Sequence, residues 1–415
     1  MNHSINFNVE YEILGKKKKN NKFTTQIQAH DLELSIGEKG MTLSNHKVPF
    51  KSFVKNFGSL LAKLFGATSV EPLKYASGAT TGAYTVASFM NVSEAALTAS
   101  RARRGIYIGD KGANSYNGAS LGAITTGTSV SLWAITGNVQ NSVQKGDNWL
   151  KRRLEADTTS ADTGIVYGAN SVVMENDTTV KITRRFYNGS GKTVKVNEIG
   201  LGGTRTTAVV LSAIVLLARD TTAYDVSVLT GQYIDISYRF TVASGLTNNF
   251  VVMLANLLSG TLGKYSYINN AGSTNTLTTA TKFSMNRTGG DDTYGIHIGE
   301  TNEAGISSYD YKLENQWAHG TTEPFFAYSA TNYIDNLNTS NSTTKFGFYR
   351  DFTCKGTSSK EVAEAGIFLQ SEEAKGICVA RFPINGIVCN PEDVLRVSVY
   401  FDFPVSTTTY VTEGS

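Results

Sequence analysis

The strongest constraint on the fold is that the 415-residue chain carries one set of sequence phrases twice, in the same order. Each match is weak by itself, but self-similarity in a fixed order indicates a repeated structural unit. We therefore expect an N-terminal extension at residues 1–44, a first unit at 45–244, and a second unit with a C-terminal tail at 245–415. The matched segments are 52–66 with 249–263, 105–109 with 295–299, 186–200 with 352–366, and 236–242 with 397–403.

Alternation of apolar and polar residues predicts β-strands within each unit. Residues 180–186 read V-K-I-T-R-R-F, and residues 397–403 read V-S-V-Y-F-D-F. This period of two is typical of half-buried strands, and 39 glycines against 6 prolines suit turn-rich β structure. The predicted fold is mainly β, with two tandem, pseudo-repeated antiparallel β-sandwich lobes of jelly-roll type. The N-terminal extension is also expected to be β, because residues 7–13 and 24–36 alternate on either side of a lysine-rich turn at 16–19.

Each unit opens on a segment that we expect to form one amphipathic helix. From Phe50 to Phe65, apolar residues recur at the three- and four-residue spacing of a single buried helix face. Pro49 and Gly66 stand where a helix begins and ends. We expect the apolar face to cover a sheet or a partner subunit. The residues predicted to make these contacts are Phe53, Phe57, Leu60, Leu61, Phe250, Leu257 and Leu258.

Two charged positions recur between the units. Glu198 of the first unit aligns with Glu364 of the second, and Arg219 aligns with Arg381. Because both positions recur, a structural role shared by the units is favoured over a single active site. We expect an ion pair across neighbouring strands in each unit.

Residues 189–193, G-S-G-K-T, resemble the end of a phosphate-binding loop. That signature requires a glycine five residues before Gly191, where this chain has Phe186, and it requires a helix after the loop. The residues that follow alternate as a strand, and the aligned residues 354–357 carry no such signature. We interpret the segment as a hairpin turn and expect no nucleotide cofactor.

The remaining composition argues against an enzyme and against several classes of partner. The five histidines show no H-x-x-x-H or H-E-x-x-H spacing, and no G-x-S-x-G is present. We therefore expect no catalytic residues and no cofactor. A net charge of +3 is too small to imply nucleic acid or an anionic membrane as a partner. The longest apolar run, residues 208–218, is too short to span a bilayer and predicts a buried strand.

The cysteines argue against a zinc site, whereas the loop carboxylates leave a calcium site possible in principle. Three cysteines without regular spacing, at positions 354, 378 and 389, argue against a disulfide framework or a zinc site and favour synthesis in a reducing cytosol. Asp291, Asp292 and Glu300 are candidate oxygen ligands for calcium. The simpler alternative is that these carboxylates face water.

Several phrases resemble a recurring family of tailed-bacteriophage virion proteins. They are S-F-V-K-N-F at 52–57, G-I-x-I-G, D-Y-K-L-E-N at 310–315, A-H-G at 318–320, and N-E-I-G-L with L-A-R-D at 197–201 and 217–220. The resemblance covers most of residues 45–406. It implies a non-enzymatic structural protein of the virion, made in the host bacterial cytoplasm and placed in the neck, tail, baseplate or fibres. Its partners would be copies of itself and other virion proteins. The duplicated unit departs from the single-module pattern of that family.

Two alternatives stay open at this point. One is a receptor-binding tail fibre that uses loop aromatic residues on host surface glycans. The other is a double jelly-roll capsid protein, which also carries two sandwiches in one chain. A wall hydrolase is a third reading, which the absence of catalytic motifs disfavours.

Overall fold

In the computed structural model, the chain is mainly β and forms several antiparallel sheets. The structure describes residues 4–16, 22–29, 32–38, 41–48, 57, 61, 65, 105–109, 165–167, 171–189, 191, 193–204, 214–259, 264–276, 295–300, 305, 307–317, 325–329, 332–336, 344–369 and 376–403.

Within the described residues there are twenty strands and one helix with defined ends, α1 (Asn248–Ser259). The strands are β1 (Ser4–Ile13), β2 (Lys22–Ala29), β3 (Leu32–Glu38), β4 (Met41–Val48), β5 (Gly105–Gly109), β6 (Ile165–Tyr167), β7 (Ser171–Asn176), β8 (Thr179–Asn188), β9 (Val194–Thr204), β10 (Ile214–Val228), β11 (Tyr233–Val242), β12 (Tyr267–Ile268), β13 (Thr274–Asn275), β14 (Gly295–Gly299), β15 (Phe326–Tyr328), β16 (Asn332–Asn336), β17 (Thr344–Cys354), β18 (Lys360–Leu369), β19 (Ile377–Cys389) and β20 (Val394–Phe403).

Twelve strands form one large sheet. Its order is β15-β17-β20-β1-β2-β11-β3-β4, with β16 also pairing β17, β8 also pairing β11, and β6 and β7 pairing β8. The alternation seen in the sequence follows from this arrangement. In β8, for example, Val180, Ile182 and Phe186 are fully buried, whereas Arg185 and Tyr187 face solvent.

The first two N-terminal strands, β1 and β2, lie in the middle of this sheet, whereas β3 and β4 lie at one end of it. β1 pairs with β2 as a hairpin, and its other edge pairs with β20. β2 and β3 follow one another along the edge of β11, opposite β8. Residues 24–36, which alternate continuously in the sequence, therefore contribute to two strands. The extension joins strands that come from the two halves of the chain.

Two three-stranded sheets, β5-β9-β10 and β14-β18-β19, have the same strand register. Arg350 of β17 donates a hydrogen bond from Nη1 to Ile296 O of β14 at 2.9 Å, so the second small sheet lies against the large one. The matching backbone pairs are Ile106–Leu201 and Arg219–Gly200 in the first small sheet, and Ile296–Ile367 and Arg381–Gly366 in the second.

An irregularity of the ladder also falls at the same place in both small sheets. One strand carries an extra residue, as in a β-bulge, so the pairing shifts by one position. The extra residue is Leu217 in β10 and Val379 in β19, and both are buried. The flanking pairs are Leu216–Gly202 and Ala218–Leu201 in the first sheet, and Cys378–Phe368 and Ala380–Ile367 in the second.

The large sheet shows the same correspondence. The β8–β11 and β17–β20 ladders align so that Phe186–Ile234 in one corresponds to Phe352–Leu395 in the other. β6 and β15 then take equivalent places beside β8 and β17.

The G-S-G-K-T segment is not the hairpin turn that the sequence suggested. It joins β8 to β9, which belong to different sheets, so it carries the chain from the large sheet to the small one. Gly191 has a φ of 73°, a conformation that favours glycine. Residues 355–359 make the equivalent connection from β17 to β18.

Helix α1 differs from the amphipathic helix that was expected. All eight residues from Asn249 to Asn256 are buried, so no face among them is left to solvent. The physical reason is its position, because it contacts β7 and β8 of the large sheet and β19 of a small sheet. An apolar run of V-V-M-L-A suits a helix covered on more than one side.

Candidate functional site

The most densely connected charged cluster surrounds Arg381 on β19. Its Nε donates to Glu364 Oε2 at 2.6 Å, and the two side chains are 4% and 0% exposed. Glu364 lies on β18, two residues from Gly366, which is the backbone partner of Arg381. The pair is therefore a diagonal contact between neighbouring strands, inside the protein.

The D-Y-K-L-E-N segment closes around this ion pair. Arg381 Nη1 donates to Asp310 Oδ2 and to Gly305 O, both at 2.9 Å, and Nη2 lies 3.5 Å from Glu314 Oε2. Glu364 Oε1 accepts hydrogen bonds from the backbone N–H of Glu314 at 2.7 Å and of Asn315 at 3.4 Å. One guanidinium thus ties a loop to two strands through three carboxylates.

Burial sets the protonation chemistry of this cluster. Loss of solvent raises the pKa of Glu364, while the hydrogen bond from Arg381 and the two backbone N–H groups act in the opposite direction. Burial also raises the pKa of the nearby Cys378 thiol, whose Sγ lies 3.4 Å from Ala380 O. Burial raises the pKa of Cys389 to about 12. Thiols whose pKa is raised in this way stay protonated near neutral pH.

The last glycine of G-I-H-I-G belongs to the same cluster. Gly299 pairs directly with Glu364 in the backbone ladder. A Cβ on Gly299 would overlap Glu364 Oε1, and it would lie 2.6 Å from Glu364 Cγ and 2.9 Å from Asn315 O. Glycine is needed here because the carboxyl group and the loop backbone occupy the space that a side chain would take.

Two buried arginines that were not predicted lie at equivalent places, Arg184 on β8 and Arg350 on β17. They are 2% and 3% exposed. Arg350 reaches the carbonyl of Ile296 on the facing sheet and lies 4.5 Å from the ring centre of Tyr328. The gapless alignment that begins at Phe186 and Phe352 contains the signal, because extending it by two residues adds R-x-F to both units.

Some of the predicted helix residues are buried, and the others lie outside the described part of the chain. Phe57, Leu61, Phe250 and Leu258 are buried, with Phe57 and Leu61 in helical backbone. Phe53 and Leu60 lie outside the described residues, as does the side chain of Leu257 in α1. The buried members contribute to the core of the protein itself.

Phe65 shows what this helical segment packs against. Its N–H donates to Leu61 O at 3.0 Å, which continues the helical turn. Its ring centre lies 5.0 Å from that of Phe401, 5.8 Å from Phe348 and 6.5 Å from Phe250. A segment from the first half of the sequence therefore packs on β20, β17 and α1, all from the second half.

Glu198 and Arg219 occupy the backbone positions that correspond to Glu364 and Arg381. Glu198 pairs with Gly109 of β5 as Glu364 pairs with Gly299, and Arg219 pairs with Gly200 as Arg381 pairs with Gly366. The side chains of Glu198 and Arg219 lie outside the described residues, so their ion pair stays a prediction.

The candidate calcium ligands are only partly described. Asp291 and Asp292 lie outside the described residues, and Glu300 directly follows β14, where its N–H donates to Asn315 O at 2.8 Å. Across the part of the chain that the structure describes, no group of three or more His, Cys, Asp or Glu residues is arranged to hold a metal ion. Over the same residues, no helix is long and apolar enough to cross a membrane.

Comparison with known proteins returned no relative: no family model, no curated protein and no solved structure matches this chain.

Proposed function

We propose that the chain contains two equivalent lobes that arose by duplication, each a β-sandwich of jelly-roll type. The lobes correspond to residues 45–244 and 245–415, with residues 1–44 as an extension. The support is the shared register described above, in which two large-sheet ladders and two small-sheet ladders match pair by pair. A common bulge position strengthens it, because bulges are specific features of a fold and not random defects.

The N-terminal hairpin is consistent with this symmetry. β1 meets β20 at the pair Asn6–Asp402, and β2 meets β11 at the pair Gln28–Thr241. Asp402 and Thr241 occupy equivalent positions in the two ladders. The two strands of the hairpin therefore pair with equivalent strands at equivalent positions. A two-fold axis through the pair Ile5–Ile27 would relate β1 to β2 and β20 to β11 in this way.

We further propose that the protein is a structural component of a tailed-bacteriophage virion, in the neck, tail or fibre region. The observation that carries this proposal is the pair of matching ladders joined edge to edge through β1 and β2 into one sheet. Such a chain presents two similar surfaces at a fixed spacing, so n copies would match a ring with 2n binding positions. The choice of a virion protein as the class rests on the resemblance of several sequence phrases to proteins of that family.

The outer edge of the large sheet offers a surface for assembly. In the described sheet, β4 pairs with β3 alone, so its other edge has no partner strand there. Met41 and Leu43 on this strand are 66% and 53% exposed. An edge strand with unpaired backbone groups and exposed apolar side chains such as these is a site at which another chain can add. Copies of the chain or neighbouring virion proteins are the partners that this proposal assigns to it.

Quantitative mass spectrometry of purified virions tests the proposal. A few to a few tens of copies per particle would support a neck or tail component, with the number reflecting ring symmetry. Absence of the chain from extensively washed particles would contradict it. Hundreds of copies would favour the capsid alternative, and specific binding to a glycan array would favour the receptor-binding one.

A further inference from the structure

Two surface ion pairs occupy the same position in the matching ladders, with their charges reversed. Arg185 on β8 faces Asp235 on β11 as a direct backbone pair. Asp351 on β17 faces Arg396 on β20, also as a direct pair. Each pair is adjacent in its ladder to the equivalent pairs Phe186–Ile234 and Phe352–Leu395.

The geometry of the two ion pairs is the same. Arg185 donates from Nε and Nη2 to the two oxygens of Asp235, both at 2.7 Å. Arg396 donates from Nε and Nη2 to Asp351 at 2.7 and 2.8 Å. Each guanidinium also lies over a tyrosine ring, 3.8 Å from the centre of Tyr233 for Arg185 and 4.2 Å from the centre of Tyr349 for Arg396. Bidentate pairing of this kind depends strongly on geometry.

The buried faces of the same strands do not distinguish the two ladders. β8 and β17 place apolar residues and one buried arginine at equivalent positions, and the inward residues of β11 and β20 are apolar apart from the Tyr238 hydroxyl. An exchanged ladder, with β8 beside β20 or β17 beside β11 in the same register, would therefore satisfy the pattern of the core. The compared inward residues are Val180, Ile182, Arg184 and Phe186 with Phe348, Arg350 and Phe352, and Ile234, Ile236, Tyr238 and Phe240 with Leu395, Val397, Val399 and Phe401.

An exchange of strand partners between the two ladders would bring like charges together at the positions of the ion pairs. β8 beside β20 would place Arg185 opposite Arg396, and β17 beside β11 would place Asp351 opposite Asp235. Like charges directly opposite one another destabilise a strand pair unless an opposite charge bridges them, as Glu175 bridges the native Lys181–Arg239 pair. At the position of the two ion pairs, both native ladders keep opposite charges. We propose that the reversed polarity of these two pairs selects the correct strand partners during folding and keeps each ladder within its own lobe. The inference rests on the strand registers and is independent of the virion role.

Charge-swap variants separate this selection from simple stabilisation. Arg185→Asp/Asp235→Arg keeps an ion pair in the first ladder but gives both ladders the same polarity. Adding Asp351→Arg/Arg396→Asp restores opposite polarity with all four charges exchanged. The four-substitution variant loses both arginine–tyrosine contacts, so a purely stabilising role predicts that it is the weakest protein of the series.

The first measurement is the fraction of chains that regain the native elution volume and native thermal transition after dilution from guanidinium chloride. We expect the ratio of native to misassembled chains to fall roughly fivefold or more in the two-substitution variant. The four-substitution variant should return close to the wild-type ratio. Equal recovery in all three proteins would overturn the proposal, as would a four-substitution variant that recovers no better than the two-substitution one.

A disulfide trap identifies the misassembled product. Thr183 natively faces Ser237, with the two hydroxyl oxygens 2.8 Å apart, whereas in the exchanged ladder it would face Ser398. Thr183→Cys/Ser398→Cys should therefore cross-link during refolding only in the two-substitution background. Thr183→Cys/Ser237→Cys serves as the matched control and should cross-link in every background. Cross-linking of the first pair at an equal level in the wild-type background would count against the proposal.

Discussion

Arg381 Nε lies 2.6 Å from Glu364 Oε2, with both side chains almost completely removed from solvent. The guanidinium also contacts Asp310 and Glu314, so three carboxylates surround this one cation. A charge cluster of this kind is costly to bury and is retained only when its members satisfy one another. Its role is to fix the D-Y-K-L-E-N loop against the small sheet.

Replacing Arg381 with methionine is expected to destabilise the protein by about 3–5 kcal/mol, because it leaves buried carboxylates without their cation. Guanidinium chloride unfolding measures this free energy. Lys355→Met is the matched control, since Lys355 and Glu392 are 3.9 Å apart and 46% and 77% exposed. The control should change the free energy of unfolding by about 0–1 kcal/mol. Similar losses in the two variants would contradict the structural role assigned to Arg381.

Gly299→Ala is expected to cost about 1–3 kcal/mol, because the added methyl group collides with the Glu364 carboxyl and the Asn315 carbonyl. A double-mutant cycle with Glu364→Ala tests the cause. Once the carboxyl group is removed, the alanine at position 299 should cost less than it does in the wild-type background. Fully additive effects would show that the two residues do not compete for the same space.

The N-terminal extension should be held less firmly at acid pH. Lys16 Nζ donates to Asp393 Oδ2 at 2.6 Å, and this hydrogen bond lowers the pKa of Asp393. A carboxyl group whose folded-state pKa is lowered contributes stability above its unfolded pKa of about 3.9, and this contribution is lost as the pH falls through the folded-state value.

Thermal unfolding of the wild type and Asp393→Asn across this pH range measures the effect. The wild type should have the higher midpoint near neutral pH, and the difference should shrink below about pH 4. In a Lys16→Met background, the difference should be smaller and should depend less on pH. A difference that grows as the pH falls would have the wrong sign.

Phe65→Ala is expected to cost about 3–5 kcal/mol, because the ring is fully buried among Phe250, Phe348 and Phe401. Leu43→Ala, at a side chain that is 53% exposed, should stay within about 0.5 kcal/mol of the wild type. Urea unfolding of the two variants distinguishes these outcomes. A small loss for Phe65→Ala would show that the helical segment contributes little to the core.

Local periodicity predicted much of the secondary structure. The alternation at 7–13 and 180–186 lies within β1 and β8, and the segment aligned with 52–66, residues 249–263, covers all but the first residue of helix α1. These features follow from side-chain periods of two and 3.6, which local sequence encodes. The same reasoning misjudged the exposure of α1, because it could not show that sheets cover the helix on more than one side.

The order of the strands and the contacts between distant residues could not be predicted from the sequence. Nothing in the alternation of 4–13 indicates that β1 lies between β2 and β20, since strand order depends on contacts nearly 400 residues apart. Asp310 and Glu314 come from a loop without periodicity, so their convergence on Arg381 left no local signal. The G-S-G-K-T segment looked like a hairpin because its flanking strands alternate, although these strands belong to different sheets.

The proposal that the chain contributes two equivalent lobes to a virion can be tested by a reconstruction of the particle that resolves this chain. We expect the two lobes of each chain to occupy neighbouring, quasi-equivalent positions and to present equivalent surfaces to the adjoining proteins. Lobes that make unrelated contacts, or a particle that lacks the chain, would contradict it.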